Sequence, residues 1–175
     1  STNSSIGLIY ALKKIFMNYK GIWFYGLSGS GKTYASKYLR TKIKSSFLID
    51  GDDVRKTLSI DLDYSLKSRK IQIGRLFSIA ELCLINKFFP IVSSVYINEN
   101  IIEKCKKKKI LPINIQRENF GTIIRNHKTY KNKKNVVGID IHIKNYKTKK
   151  ISNPGNKKFC KNLTLLKKLA IKRDI

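Results

Sequence analysis

The apolar run Ile22-Trp23-Phe24-Tyr25 leads straight into Gly26-Leu27-Ser28-Gly29-Ser30-Gly31-Lys32-Thr33, and a helix-patterned stretch follows from Thr33 to Ile43. The octet fits GxxxxGK[ST] at every fixed position, and a strand before it with a helix after it is the context in which that pattern builds a phosphate cradle. The glycines let backbone N–H groups converge on phosphate oxygens without side-chain clash, and the helix start adds the positive end of its dipole. Lys32 is then placed to reach β- and γ-phosphates, and the Thr33 hydroxyl is placed as a Mg²⁺ ligand. Gly26, Ser28, Gly29, Ser30, Gly31, Lys32 and Thr33 are therefore the expected ATP-binding set.

The rest of the chain repeats the strand-then-helix rhythm. Phe47-Leu48-Ile49 forms a second strand ending at Asp50-Gly51-Asp52-Asp53, and Leu66 to Asn86 reads as a long helix with Ile73, Leu76, Phe77, Ala80 and Leu84 on one face. Pro90-Ile91-Val92 starts a third strand that ends in Ser93-Ser94, Glu99 to Lys106 a helix, and Ile110 to Ile115 a fourth strand. Strands that are apolar throughout, separated by helices, predict a parallel α/β sheet with helices on both faces, of the P-loop NTPase type. One domain is expected over residues 1–175, with a P-loop core over 21–140, a basic lid at about 125–135 and a basic C-terminal segment over 141–175. That segment is rich in Lys and Asn, and its amphipathic element is expected from Leu163 to Ile171. Ser4 to Tyr19 patterns as an amphipathic helix through Ile6, Ile9, Leu12, Ile15 and Phe16.

Charge narrows the partners. Lys plus Arg number 37 against 11 Asp plus Glu, a net charge of +26, which favours anionic partners. The three cysteines Cys83, Cys105 and Cys160 follow no metal spacing and cannot all pair with one another, so reduced thiols are expected, with Cys83 a small core hydrophobe. No apolar run is long enough to cross a bilayer, and no secretory leader pattern opens the sequence, so the expectation is a cytoplasmic protein. His127 and His142 sit in basic stretches and read as surface residues, and Trp23 reads as packing.

Acidic residues are scarce, yet Asp50, Asp52 and Asp53 cluster at the end of the second strand. Ligands of open parallel sheets bind outside the carboxyl ends of the strands, which puts this cluster beside the phosphate loop. Phosphoryl transfer calls for a metal to neutralise charge and for a group that takes the proton of the attacking hydroxyl. The competing reading is that Asp50 or Asp53 caps the following short helix.

These motifs together resemble the adenylyl-sulfate kinase family. The resemblance rests on Gly26 to Thr33, Asp50-Gly51-Asp52-Asp53-Val54-Arg55, Tyr64-Ser65, Arg69, Ile91-Val92-Ser93-Ser94 and Asn135-Val136-Val137-Gly138-Ile139-Asp140, collinear from about Gly21 to Asp140. It implies a homodimeric P-loop enzyme that moves the γ-phosphate of MgATP to the 3′-hydroxyl of a nucleotide's ribose. By resemblance Asp52 is the base and Asp50 organises the Mg²⁺. Arg55 and Arg69 hold the acceptor's phosphate-bearing group, Ser94 and Lys134 lie in the acceptor site, and Arg125 is a lid arginine near the ATP phosphates.

The departures fall on the acceptor side. Where family members carry Phe-Ser, Asp-Arg, Glu-Asn and Asn-Phe-Thr-Gly, this chain has Tyr64-Ser65, Ser68-Arg69, Ile71-Gln72 and Asn135-Val136-Val137-Gly138. The family sandwiches adenine between two aromatic rings; Tyr64 keeps one face, whereas Val136 offers an aliphatic contact, a loss of about 1–3 kcal/mol of stacking. Gln72 moves an amide by one methylene. The pattern is consistent with cytidine diphosphoramidate, the acceptor of a related kinase of capsule phosphoramidate synthesis, or with adenylyl sulfate itself. The alternative class is a basic nucleic-acid-binding or polynucleotide kinase P-loop protein. No recognition-helix, RNA-binding or zinc signature supports it, so no stable nucleic-acid partner is expected.

Overall fold

The computed structural model describes residues 19–131, 134–155, 159–160 and 162–163. The expected N-terminal helix up to Asn18, and the expected helix beyond Leu163, lie outside the described residues. In chain order the elements are β1 (Gly21–Tyr25), α1 (Lys32–Arg40), β2 (Ser46–Asp50), α2 (Gly51–Thr57), α3 (Leu66–Ile85), β3 (Phe89–Ser94), α4 (Glu99–Lys107), β4 (Ile110–Arg117), α5 (Phe120–Asn126), a 3₁₀ turn (Lys128–Lys131) and β5 (Lys149–Asn153).

The five strands form one parallel sheet in the order β2-β3-β1-β4-β5. Alternate side chains of β1 feed opposite layers, as the two-residue period of a strand requires. Trp23 and Tyr25 pack with Leu76, Phe77 and Ala80 of α3 and Ile101 and Cys105 of α4, whereas Ile22 and Phe24 pack with Ala35 and Leu39 of α1. All four β1 side chains are at most 2% exposed, which is why that strand reads as an unbroken apolar run.

The sheet runs further than the sequence indicates. The C-terminal segment expected to be only a basic tail contributes β5, paired parallel to β4 with Ile115 opposite Ile151 and Arg117 opposite Asn153. Of its five residues only Ile151 and Asn153 are buried, so Lys149, Lys150 and Ser152 mask the strand in the sequence. The expected boundary at residue 140 therefore does not end the sheet.

Cys83 and Cys105 are buried and unpaired, and burial pushes the Cys105 thiol up to about 12, which leaves it protonated and inert. Among the described residues no helix is long and apolar enough to cross a membrane.

Candidate active site

The carboxyl ends of β1, β2 and β3 open into a cleft of about 650 Å³. On its nucleotide side the loop after β1 reverses the chain into α1. Gly31 caps that helix at φ 101°, a left-handed conformation, and a Cβ there would lie 2.4 Å from Asn153 Nδ2, so only glycine fits. Asn153, 2% exposed, donates from that nitrogen to the Ser30 carbonyl at 2.7 Å and accepts from the Gly155 N–H at 2.9 Å. Ser30 itself is 1% exposed, and its N–H donates to the Leu27 carbonyl at 3.1 Å. Of the expected loop residues, Ser28, Gly29, Lys32 and Thr33 line the cleft, whereas Gly26, Ser30 and Gly31 shape the turn beneath it.

Lys32 is 7% exposed and its ammonium donates to the Leu27 carbonyl at 2.9 Å. Burial pulls its pKa from 10.5 down to about 8, against the pull of the Asp52 and Asp50 charges, which favour the ammonium. An anionic phosphate adds attraction for the charged form and raises that pKa again. Metal-free ADP binding is therefore expected to take up protons above pH ~8 and nearly none at pH ~7, with affinity falling as pH rises. Titration calorimetry in buffers of different ionisation enthalpy measures this, and equal uptake at both values would refute the assignment. The same depressed pKa means that folding stability from this group rises with pH between about 8 and 10.5, because the unfolded chain holds the proton there and the folded chain does not.

Asp50 caps the short helix, one of the two readings made of it, and also touches the phosphate loop. Its Oδ1 accepts the Asp52 N–H at 2.9 Å, capping α2, while its Oδ2 accepts the Thr33 hydroxyl at 3.3 Å. Thr33 and Asp50 thus present hard oxygen donors side by side at the phosphate loop. Among the described residues no cluster of three or more His, Cys, Asp or Glu could hold a metal alone. One carboxylate and one hydroxyl suit Mg²⁺, which keeps waters and shares substrate phosphates instead of sitting in a protein cage. Asp52 is exposed at the cleft, and among the described residues no donor engages its carboxylate. Asp53 points elsewhere: its side chain is not part of the lining, and its carbonyl accepts from Thr57.

The far side of the cleft holds the expected acceptor residues. Arg55 donates to the Leu62 and Asp63 carbonyls at 3.2 and 2.6 Å, and Arg69 to the Tyr64 and Asn135 carbonyls at 3.0 and 2.8 Å. Each guanidinium keeps further N–H donors, since five are available on the fork. Both lie near the Tyr64 ring, Cζ to centroid 4.7 Å for Arg55 and 5.6 Å for Arg69. Burial, then the Arg55 charge, lower the Arg69 pKa, against smaller upward pulls from Tyr64, Asp140 and Asp52. Gln72 donates to the Gly51 carbonyl at 2.9 Å, and at 4% exposure its Oε1 has no hydrogen-bond partner among the described residues. Val136 is held at the rim because Asp140 accepts from the Asn135 and Val136 N–H groups, both at 2.6 Å. Lys134 also lines the cleft.

Two expectations need adjustment. Ser94 reaches the cleft, but its hydroxyl accepts from Trp23 Nε1 and donates to the Tyr96 carbonyl, both at 2.8 Å, so it braces the floor. Arg125 is exposed on α5 and does not line the cleft, whereas His127, expected on the surface, does. Lys56, Tyr96 and Thr129 line it as well, without a motif to mark them.

Comparison with known proteins points to one family. A family model described as adenylylsulphate kinase matches residues 19–115. The adenylyl-sulfate kinase of Buchnera aphidicola is 34% identical over 100 residues, 53% of this chain and 48% of that protein. That of Shewanella amazonensis is 40% identical over 67 residues, 36% of this chain and 34% of that protein. The chain thus spans between a third and a half of these relatives. Among solved structures, the Mycobacterium tuberculosis APS kinase CysC in complex with AMPPNP and APS superposes with a TM-score of 0.68 at 22% identity, covering 85% of this chain and 98% of that one, a likeness of fold. With more than half of its length matched by the family model, and that match running from β1 into β4, the chain belongs to the adenylylsulphate kinase family.

Proposed function

We propose that this protein transfers the γ-phosphate of ATP to the ribose 3′-hydroxyl of a nucleotide. The observation that carries the reading is a single cleft with Lys32, Thr33, Asp50 and Asp52 at one end and Arg55, Tyr64, Arg69 and Gln72 at the other. In this reading Lys32 and the loop N–H groups hold the phosphates of ATP, and Thr33 and Asp50 hold Mg²⁺, which neutralises charge on the triphosphate. Asp52 takes the 3′-hydroxyl proton as that oxygen bonds to the γ-phosphorus; the bond from the γ-phosphorus to the bridging oxygen breaks, and ADP leaves. Arg55 and Arg69 grip the acceptor's own phosphate-bearing group, and Lys134 adds charge at its rim.

The acceptor pocket pairs one aromatic face, Tyr64, with one aliphatic face, Val136. The flat face of either base fits against these two, so adenylyl sulfate and cytidine diphosphoramidate both match the pocket. A homodimer and a cytoplasmic setting belong to the same proposal, by family likeness. ADP release with MgATP and a panel of adenylyl sulfate, cytidine diphosphoramidate, CDP and short RNA tests it. Turnover with a nucleotide supports the reading, whereas turnover with RNA alone would put a polynucleotide kinase in its place. Val136→Phe is expected to shift preference towards the adenine acceptor about tenfold, the equivalent of one restored stacking face. Competition between the two nucleotides measures this, and an unchanged ratio would mean that the base is chosen elsewhere.

A further inference from the structure

We infer that His127 is a phosphate-binding residue of the nucleotide site, donating from Nε2 across the phosphate loop. The inference rests on the reading that this loop holds a nucleoside polyphosphate. His127 follows α5, and its backbone is committed on both sides: its N–H donates to the Ile123 carbonyl at 2.8 Å, and its carbonyl accepts from the Tyr130 N–H at 3.0 Å. In the ring, Nδ1 accepts the Thr129 N–H at 3.3 Å. A neutral imidazole has one donor and one acceptor nitrogen, so an accepting Nδ1 places the proton on Nε2. Among the described residues nothing pairs with that Nε2–H.

The edge of the ring that carries Nε2 lies over Gly29. A Cβ at Gly29 would be 3.3 Å from His127 Cδ2 and 3.8 Å from Nε2. Gly29 belongs to the backbone that cradles phosphates, and both residues line the cleft with Lys32. The placement is fixed from a second direction. Tyr130, 7% exposed, donates its hydroxyl to the Ser28 carbonyl at 3.0 Å and packs against the His127 ring at 5.8 Å and the Phe120 ring at 5.6 Å. The segment is thus fastened to the loop next to Gly29, which leaves the imidazole with one unused donor facing an anion site. Lysine and backbone donors alone grip phosphate without a side-chain donor from above; His127 supplies one.

Binding of ADP and of AMP by calorimetry tests this with His127→Phe, which keeps a ring and loses the donor, and His127→Gln, whose amide nitrogen reproduces the donor. His127→Phe is expected to weaken ADP about tenfold and AMP far less, a hydrogen bond to a charged oxygen being involved. His127→Gln is expected to recover most of that loss, and in the parent chain the His127 Nε2 resonance is expected to shift with ADP and hardly with AMP. ADP binding unchanged in His127→Phe, or equal loss for ADP and AMP with no recovery in His127→Gln, would overturn the assignment. A parent chain that binds no ADP would overturn the nucleotide site itself, and this inference with it. Melting temperatures of the ligand-free variants separate misfolding from lost binding, and should one variant not fold, the resonance shift in the parent chain decides alone.

Discussion

Asp52→Asn is expected to bind ATP as the parent does and to turn over about 10²–10⁴-fold more slowly, the range that a positioned general base contributes. The substitution is nearly isosteric, and the fold barely depends on this carboxylate. The cap on α2 is made by the Asp52 N–H to Asp50 Oδ1, a backbone donor that asparagine keeps. Asp52 is exposed, so its loss removes no packing. The expected signature is therefore a fall in kcat at constant melting temperature and constant nucleotide affinity. Single-turnover transfer from labelled ATP separates the chemical step from binding. A variant that keeps near-full rate would move the base elsewhere, with no other unengaged carboxylate among the described residues that line the cleft.

Lys32→Met should separate activity from stability in the opposite sense. The ammonium neutralises charge where the phosphoryl group leaves, and losing such a donor costs about 10²–10³-fold or more in rate. Yet the same ammonium is buried, and a pKa drawn from 10.5 to about 8 corresponds to about 3 kcal/mol against the folded state at neutral pH. Methionine fills the space without the charge. The variant is expected to be inactive and to melt roughly 5 °C higher at pH 7, part of the gain being lost because the Leu27 carbonyl keeps only the Ser30 N–H of its two donors. A lower melting temperature would show that the bond to Leu27 outweighs desolvation. A variant that retained turnover would overturn the phosphate role of Lys32.

Both predictions were accessible from the sequence because the relevant signals are local. The octet ending in Lys32-Thr33 carries its own geometry, and Asp50-Gly51-Asp52 follows the end of an apolar strand. Strands buried on both faces leave runs such as Ile22 to Tyr25 that no polar residue interrupts. What the local pattern hides depends on contacts far apart in the chain. β5 shows the core only Ile151 and Asn153, and its lysines hide it within a basic tail. His127 stands among cations, which reads as solvated surface; only the fold-back of Tyr130 onto Ser28 brings it to the loop. Ser94 lines the cleft, but nothing local in the sequence shows that Trp23 and the Tyr96 carbonyl occupy its hydroxyl. Arg125 is expected near the phosphates by resemblance alone; it lies exposed on α5, and His127, two residues on, lines the cleft instead.

The bond from Asn153 to the Ser30 carbonyl joins residues 123 positions apart. During synthesis the phosphate loop leaves the ribosome among the first residues of the sheet, and its brace among the last. At ~5–20 residues per second the loop spends several seconds without that brace. A nascent chain arrested before β5 should therefore have most of the sheet assembled yet hold nucleotide poorly, so that the ability to bind arrives late and abruptly rather than growing with chain length.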